Sequence, residues 1–455
     1  MPSTVEKLST TRAKLTIEIP FADLKPAIAK AYRDLASQIT IPGFRKGHIP
    51  AGMIDARLGK GAALSEAVNA MLPDAYAQAL ESHQLQPLGQ PEIEMTKLEE
   101  DQSVEFVATV DVVPEFDMPK LGSLAATVEA IEDLDAEVDD KIKILRNRFA
   151  QAADVDREAR DGDQVRIDLV GSMNGEVLPD AQADGLTYVI GSGEMLDGLD
   201  EAVIGAKAGE ERTFSSTLLG GSQEGNVADI TVTVTQVQER TLPEVDDEFA
   251  QLVSQFDTVE EMRQDLMVAV QRMAILDQLS LARRQVMDQL LENTSIDLPE
   301  GVVNDETQAR TSQISEQLKE AGMTLEDYLG RMNDPEAATV EEFTARTRTN
   351  VERGIRSEIL LNRIADEEKV QVTREDLTNF VLQKAQENGT TPDQEIQHMQ
   401  SHGHMGEWMA QIRQSKALDA VVSKATVKDS NGRVIDMAAI LAPAQESAED
   451  IETSD

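Results

Sequence analysis

The hydrophobic period of this chain changes near residue 245, and that change constrains the fold more than any other feature. Before it, apolar and polar residues alternate in short runs such as 13–19, a pattern that predicts half-buried strands. After it, apolar residues recur at helical spacing. At 455 residues the chain is also too long for one ordinary core. The sequence therefore predicts a multidomain α+β protein whose C-terminal part is all-α.

Residues 1–115 are predicted to form an α+β domain. The first alternating run ends at Pro20, and two later runs are typical of a β-hairpin pair. Residues 116–160 follow as a connector that packs with the C-terminal domain. The predicted elements are strands at 13–19, 92–97, 104–113 and near 127–130, and helices at 21–38, 62–82 and 138–152.

Residues 161–243 are predicted to be a compact β-rich domain. Short apolar runs there are separated by glycines, which favour turns between strands. The predicted strands are 164–170, 187–190, 211–216 and 230–239.

Residues 244–440 are predicted to form a helical domain. Thr258 and Thr339 each precede a Glu by three residues, which is typical of a capping box at a helix start. The predicted helices are 258–293, 301–321, 340–367, 374–388 and 405–423. The last segment, 441–455, is acidic and is predicted to be a disordered tail.

The composition excludes several kinds of site. The chain has no Cys, so it forms no disulfides and does no thiol chemistry, and this fits a cytoplasmic location. No apolar run is long enough for a membrane span, and the first residues lack the pattern of a signal peptide. Neither G-x-x-x-x-G-K-[ST] nor a G-x-G-x-x-G after a strand is present, so we expect no cofactor and no ATP-driven cycle.

Charge is divided unevenly along the chain. The formal net charge is −42, which opposes binding to RNA. Residues 1–60, however, hold ten Lys or Arg against five Asp or Glu. Because salt screens charges over about 8–10 Å, each region acts through its own local field. A basic tip on an acidic body would attach one end to RNA; the alternative is an acidic surface that serves only solubility.

The most informative short motif is Gly-Phe-Arg-Lys-Gly at residues 43–47. Gly43 and Gly47 predict a sharp turn that directs Phe44, Arg45 and Lys46 outward. Arg offers a planar fork for phosphate or carboxylate, Lys a mobile charge, and Phe a face for stacking. These residues predict a docking tip. The alternative is a solvated turn whose Phe44 folds back onto its own domain.

The run from Gly43 to Pro50 resembles the ribosome-docking loop of trigger factor, a family of bacterial chaperones that work at the peptide exit tunnel. The resemblance continues through the central and helical segments and covers nearly the whole chain. It implies that Phe44, Arg45 and Lys46 contact a ribosomal protein and rRNA beside the tunnel. It also implies nascent or unfolded polypeptides as partners, while homodimer formation off the ribosome is left open.

A second resemblance lies in the central segment. Residues 191–199, Gly-Ser-Gly-Glu-Met-Leu-Asp-Gly-Leu, followed by Gly205 and Gly209, resemble the middle of an FKBP-type prolyl isomerase. Rotation of an X–Pro amide meets a resonance barrier of about 18–20 kcal/mol. A dry apolar pocket that holds the twisted amide is sufficient to lower it, without acid, base or nucleophile. The resemblance therefore implies peptidyl-prolyl cis-trans isomerase activity without a catalytic triad.

The expected isomerase pocket is apolar and mostly aliphatic. Asp197 stands where the family often has a proline, and aromatic residues are only 3% of the chain. Aliphatic side chains keep a site dry but lack the flat walls that hold a proline ring, so we expect an intact fold and reduced activity. The alternative is that these residues form only the core of a small β-domain. By register with the family they are Leu178, Leu186, Tyr188, Met195, Leu196, Leu199 and Ile230.

Methionine is concentrated in the helical half. Ten of the 17 Met residues lie beyond residue 245, including Met262, Met267, Met273 and Met287. Met adapts to varied partners, and the resemblance implies a client-binding cradle between helical arms. The alternative is that these residues are ordinary helix core.

Three histidines, His398, His402 and His404, raise the question of a metal. His398 and His402 are one helical turn apart, but the segment lacks the Glu of the zinc-protease motif. Gly403 is expected to loosen the geometry. We therefore predict a helix end at the surface and no metal site.

The sequence thus predicts an ATP-independent, ribosome-associated molecular chaperone with an FKBP-type isomerase domain. Two other functions stay open at this stage. One is a primarily enzymatic prolyl isomerase whose N-terminal region recruits substrates. The other is an RNA-binding assembly factor that uses the basic tip.

Overall fold

The computed structural model describes residues 1–42, 44–59, 61–97, 103–220, 223, 225–332 and 337–442. The chain divides into two compact units. The first unit consists of Met1–Glu129 together with the chain from Leu279 onward, and the second is Ala130–Gln278. The predicted fold class, an α+β N-terminal part, a β-rich part and a helical part, is confirmed.

A four-stranded antiparallel sheet begins the first unit. Its strands are β1 (Ser3–Lys7), β2 (Arg12–Ile19), β3 (Pro87–Lys97) and β4 (Val104–Val112), in the order β1-β2-β4-β3. Every second residue of β2 from Ala13 to Ile19 is buried, as its alternation predicts. Leu15 lies opposite Ala108 of β4. The hairpin pair predicted at 92–97 and 104–113 is confirmed by the antiparallel pairing of β3 with β4.

Three helices follow: α1 (Phe21–Gln38), α2 (Ala51–Leu58) and α3 (Ala62–Ser82). Helices α1 and α3 pack on this sheet, and α2 packs on α1. The two longer helices have the predicted bounds. Helix α2 was not predicted, because eight residues with one buried side chain, Ile54, offer no repeat that a periodic pattern could reveal. After a short 3-10 turn (Leu121–Ser123), strand β5 (Ala125–Val128) ends this stretch of the first unit.

The second unit contains a five-stranded antiparallel sheet. Its order is β6-β10-β7-β8, and β9 also pairs with β10. The elements are α4 (Leu134–Arg148), β6 (Gln151–Asp154), β7 (Gln164–Met173), β8 (Glu176–Val189), α5 (Leu199–Val203), β9 (Glu211–Thr217), β10 (Val227–Thr241), α6 (Asp247–Val253) and the first part of α7 (Val259–Glu292).

The four strands predicted for the β-rich part are confirmed, although β8 is much longer than the predicted 187–190. The helix predicted at 138–152 is wrong at its C-terminal end. Helix α4 ends at Arg148, and Gln151 instead lies opposite Thr241 of β10. The strand partner is distant in sequence, so local periodicity gave no sign of it.

Two apolar clusters stabilise the second unit. One lies between the sheet and α5, with Ile167, Leu199 and Val232 fully buried. The other joins α4, α6 and α7 through residues such as Ile142 and Met262. Full burial of one such side chain contributes about 1.5–3 kcal/mol.

The helical part of the first unit comprises the end of α7 and the elements after it. They are α8 (Glu300–Glu320), α9 (Leu325–Met332), α10 (Val340–Glu367), α11 (Arg374–Asn388), α12 (Pro392–His402), α13 (Met405–Val422), β11 (Thr426–Asp429), β12 (Val434–Ile435) and α14 (Met437–Leu441). The five predicted helices are confirmed to within a residue at either end. Helices α9 and α12 were not predicted. From residue 443 onward, the predicted acidic tail lies outside the described residues.

Both predicted capping boxes are present. The Thr339 N–H donates to Glu342 Oε2 at 3.0 Å, and the Glu342 N–H donates to Thr339 Oγ1 at 3.2 Å. Thr258 and Glu261 make the same reciprocal pair at 3.2 and 3.3 Å. Each box satisfies amides that the first helical turn leaves without partners.

Strand β5 lies in the core of the helical part. It pairs in parallel with β11, and its Leu124 neighbour packs with Leu290 and Leu360. On its other edge, Gln285 of α7 takes the place of a further strand. Its side-chain amide accepts from the Thr127 N–H at 2.9 Å and donates to the Thr127 carbonyl at 2.7 Å. Of the helices in the described ranges, none is long and apolar enough to cross a membrane.

Candidate functional site

The Phe-Arg-Lys motif lies in the loop between α1 and α2, and both ends of this loop are buried. Ile41 and Ile49 are 8% and 7% exposed. They pack in one cluster with Ala36 of α1 and Ile54 of α2. The loop therefore leaves a small apolar core and returns to it.

Hydrogen bonds fix the path of the loop. The Phe44 N–H donates to the Ile41 carbonyl at 3.1 Å, and the Gly47 N–H donates to the Ala36 carbonyl at 2.8 Å. Gly47 has a φ of +82°, a conformation that other residues rarely adopt. A Cβ at Gly47 would meet no atom within 4 Å, so the glycine is required by backbone conformation rather than by space.

The tip of the loop is at the surface. The Phe44 side chain is among the exposed large apolar groups, with the residue 39% exposed, and Arg45 and Lys46 are exposed as well. Within the described ranges, neither cation forms an ion pair with a carboxylate of this chain. Gly43 lies outside the described residues. A ring and two available cations thus project from a closed turn.

The seven residues predicted for the isomerase pocket meet in one apolar cluster of the β-rich part, but they are not equally accessible. Three of them belong to its interior, where Leu199 is 0%, Ile230 2% and Tyr188 4% exposed. The other four are half-buried at its margin: Leu178, Leu186, Met195 and Leu196. Only this second group has surface that a substrate can contact.

Tyr188 holds the turn between β8 and α5. Its hydroxyl donates to Asp200 Oδ1 at 2.7 Å, and the Gly191 N–H donates to the same oxygen at 2.7 Å. Burial raises the pKa of Tyr188, and the bond to Asp200 raises it further. The phenol therefore stays protonated and serves as a fixed donor. Asp200 was not among the predicted residues.

Phe214 of β9 is an aromatic side chain of this cluster that sequence reasoning missed. Its ring lies close to Gly198, since a Cβ there would be 3.3 Å from Phe214 Cδ2. Gly198, Ala202, Arg212 and Phe214 line part of an open groove of about 580 Å³. The available signal was the alternation of β9, which places Phe214 on the inner face.

A buried ion pair stabilises the start of β7. Asp163 is 4% exposed, and Arg157 donates to it at 2.6 Å while the Arg160 N–H donates at 2.9 Å. Burial alone would raise the pKa of Asp163, but these bonds outweigh it, so the pKa lies below its usual range. The Asp163 backbone also accepts from the Ile190 N–H at 2.9 Å, which ties β7 to the end of β8.

The methionines of α7 have different environments. Met262 and Met287 are buried at 2% and 9% exposure, and Met267 is half-buried. Three apolar residues of α7 are exposed: Met273 at 62%, Val268 at 50% and Leu276 at 52%. These three residues lie on one side of the helix. The predicted Met stripe is therefore partly core and partly an exposed apolar surface.

Comparison with known proteins covers all parts of the chain. Residues 1–145 match the family model of the bacterial trigger factor protein, and residues 258–423 match that of its C-terminus. The chain belongs to the trigger factor family. Residues 155–218 match the model of the FKBP-type peptidyl-prolyl cis-trans isomerase, as expected for the central domain of a trigger factor.

Curated trigger factors are similar over nearly their whole length. The trigger factor of Cutibacterium acnes is 48% identical, over 99% of this chain and 87% of the relative. Those of Nocardioides sp. and Streptomyces coelicolor are 44% and 43% identical, each over 96% of this chain and over 92% and 93% of the relative. The predicted function, a ribosome-associated chaperone with an FKBP-type peptidyl-prolyl isomerase domain, is confirmed.

Proposed function

We propose that Phe44, Arg45 and Lys46, framed by Gly43 and Gly47, dock this chaperone on a ribosomal protein and rRNA beside the peptide exit tunnel. Docked there, in the cytoplasm, the chain meets nascent or unfolded polypeptides as they emerge. The observation that carries this proposal is the exposed tip on a loop with two buried ends.

The physical argument begins with the ring. An exposed Phe side chain gains about 1.5–3 kcal/mol when a partner buries it fully. Because Ile41 and Ile49 hold both ends of the loop in a core, the tip is ordered before it binds. Less conformational entropy is then lost on docking than for a flexible segment.

The two cations add charge complementarity. The guanidinium of Arg45 can bind phosphate through two parallel N–H donors, while Lys46 acts as a point charge. The excess of basic residues in 1–60 stands against the strongly acidic remainder of the chain. Anionic RNA therefore attracts this end and repels the rest, so that the body stays available for polypeptides.

Ribosome co-sedimentation tests the proposal. The triple variant Phe44→Ala, Arg45→Ala, Lys46→Ala should lose most co-sedimentation while its thermal unfolding is unchanged, because all three side chains are exposed. The matched control is Lys25→Ala with Lys30→Ala, which removes two exposed cations from α1 of the same domain. An equal loss of co-sedimentation in the control variant would show that net charge alone causes the effect. Unchanged co-sedimentation of the triple variant would refute the docking role.

For polypeptide binding we propose the exposed apolar side of α7, formed by Val268, Met273 and Leu276. Unfolded segments that cover this side lose contact with water, at about 25 cal/mol per Å² of apolar surface. Replacing the three residues with Ser, Gln and Ser should weaken suppression of client aggregation in light scattering. Gln271→Ala, an exposed change on the same helix, is the control. Equal suppression by the triple variant and the wild type would place client binding elsewhere.

For the isomerase domain we propose weak activity at the half-buried residues Leu178, Leu186, Met195 and Leu196. Their aliphatic side chains exclude water but offer no flat wall to a proline ring. Proline-limited refolding of a model substrate by the full chain measures the rate. Acceleration equal to that of an FKBP-type isomerase with an aromatic pocket would contradict the reduced activity.

A further inference from the structure

Three of the five histidines of the chain meet where α12 turns into α13. Helix α12 ends at His402, Gly403 follows with a φ of +74°, and His404 begins the approach to α13. The His404 N–H donates to the Met399 carbonyl at 3.0 Å, which closes the turn. The left-handed glycine therefore reverses the chain and brings His404 beside the preceding helical turn.

The three imidazole rings are close together, and the ring of His404 is stacked on the other two. The ring centroids of His398 lie 4.4 Å from His402 and 5.3 Å from His404, and those of His402 and His404 are 5.8 Å apart. One nitrogen from each ring lies within 4.8 Å of the other two. His398 and His402 are exposed and His404 is half-buried, so the nitrogens are accessible.

Hydrogen bonds at the ring nitrogens determine which lone pairs are available. His402 Nδ1 lies 3.0 Å from the His398 carbonyl oxygen, and His404 Nδ1 lies 2.9 Å from Glu407 Oε2. The His398 carbonyl and the Glu407 carboxylate can only accept, so Nδ1 of His402 and of His404 must carry the proton that is donated. In a neutral imidazole, Nε2 then keeps its lone pair. An imidazole whose Nδ1–H donates to a carbonyl or carboxylate is the arrangement that orients histidine ligands in metal sites.

We propose that His398, His402 and His404 form a binding site for a first-row transition-metal dication that prefers imidazole. Three imidazoles and a water complete the four-coordinate shell of Zn²⁺, with Zn–N distances of about 2.0–2.1 Å. In a tetrahedron this places ligand nitrogens about 3.3 Å apart. The exposed rings reach that spacing by small side-chain rotations. Mg²⁺ and Ca²⁺, which prefer oxygen ligands, do not fit the site.

This proposal replaces the expectation of an empty helix end. Gly403 was expected to loosen the histidine geometry, yet its left-handed conformation is what places His404 beside the other two rings. The Nδ1 partners, the His398 carbonyl and Glu407, were not predicted either.

The site would join α12 to α13 beside the sole tryptophan of the chain. Trp408 is 8% exposed, and its backbone N–H donates to the His404 carbonyl at 3.0 Å. Its ring packs against Met399 and meets Phe380 edge-on at 5.4 Å. A metal that draws His404 toward α12 therefore acts on the surroundings of the indole, which makes Trp408 an intrinsic reporter.

The test is a Zn²⁺ titration of the full chain without an affinity tag, after treatment with a chelator. Trp408 fluorescence and calorimetry follow binding, and excess Mg²⁺ occupies the many carboxylates. We expect one equivalent of Zn²⁺ to bind, with a change in Trp408 emission and a rise in the melting temperature of the helical part. His398→Ala, His402→Ala and His404→Ala should each remove this binding, whereas His48→Ala, which alters an exposed histidine outside the cluster, should bind as the wild type does.

Glu407→Gln tests the orientation of His404. The variant keeps the shape of the side chain but weakens the acceptor, so we expect about tenfold lower Zn²⁺ affinity. An unchanged affinity would overturn the assignment of Nδ1–H as the donor to Glu407. Stoichiometric Zn²⁺ binding that survives replacement of all three histidines, or no saturable binding by the wild type, would overturn the site itself.

Discussion

The loop between α1 and α2 and the apolar cluster of the β-rich part both combine glycine turns with large apolar side chains, but they use them in opposite ways. In the loop, Ile41 and Ile49 are buried while Phe44 remains at the surface. In the β-rich part, Leu199 and Ile230 lie within the core, and only the marginal residues keep accessible surface. An apolar residue is available to a partner only where its own fold leaves it uncovered.

The charged residues of the two regions differ in the same way. Arg45 and Lys46 are exposed and, within the described ranges, form no ion pair. Arg157 is instead bonded to the buried carboxylate of Asp163. The first pair of cations can bind an external anion at little cost, whereas the bond of Arg157 stabilises the fold. Substitutions in the loop should therefore change binding to a partner, and substitutions in the core of the β-rich part should change stability.

The largest expected effect is on stability in the β-rich part. Leu199→Ala removes a fully buried side chain and should lower the free energy of unfolding of this part by about 3 kcal/mol. Urea denaturation measures it, and the exposed Val177→Ala on β8 is the control. A nearly neutral Leu199→Ala would mean that this residue lines an open site rather than the core.

The second effect concerns the buried ion pair. Arg157→Gln leaves the Asp163 carboxylate with a weaker partner and should lower the free energy of unfolding at neutral pH, by less than for a fully buried pair because Arg157 is partly exposed. Lys207→Gln, at the exposed pair with Glu158, should cost less than about 0.5 kcal/mol.

This second effect must also depend on pH. The pKa of Asp163 is lowered in the folded chain, so the pair stabilises the fold above the unfolded pKa of about 4 and loses that contribution as the pH falls through the folded pKa. Unfolding curves of the wild type and Arg157→Gln should therefore converge in acid. A constant difference down to low pH would show that packing of the Arg157 side chain, not charge, causes the loss.

The third effect is on ribosome binding. Phe44→Ala should weaken the affinity about tenfold, because a ring that is buried only on docking contributes about 1.5–3 kcal/mol at most. Stability should change by no more than about 0.5 kcal/mol, since the ring is exposed in the free chain. Quantitative co-sedimentation and thermal unfolding measure the two quantities. A clear loss of stability would mean that Phe44 packs on its own domain.

The smallest effect is expected at the margin of the apolar cluster. Leu196→Ala removes a half-buried side chain and should cost about 1 kcal/mol of stability. The rate of proline-limited refolding should fall several-fold, because the change opens the dry wall of the pocket. If Leu196→Ala leaves that rate unchanged, the catalytic surface lies elsewhere, and the groove beside Phe214 becomes the first alternative.

Much of the fold could be predicted because local rules govern it. Alternation identified β2, and the Thr–Glu boxes identified the starts of α7 and α10 within one residue. Prediction failed where a distant partner decides the structure. The predicted helix ran to residue 152, whereas residues 151–154 pair with β10 in the fold. Helix α12, with only two buried residues, also gave no periodic signal.

The candidate sites divide along the same line. The motif at 43–47 could be recognised from five adjacent residues, since a turn and its tip are local. The residues of the predicted isomerase pocket could be named from the sequence as apolar. That Leu199 is buried while Leu196 stays accessible depends on what each side chain contacts in the fold. Likewise, the three histidines are close in sequence, yet their convergence depends on the φ of Gly403.

By itself, the sequence determined the change from strands to helices, the basic tip and the absence of thiol chemistry, because these follow from residue type and spacing. Only the tertiary structure decided which apolar and charged residues remain available. Burial and pairing depend on neighbours that a local repeat does not reveal. For residues 151–154 the neighbour is β10, far along the chain; at shorter range it is Asp163 for Arg157, and the cluster around Ile54 for the loop that carries Phe44.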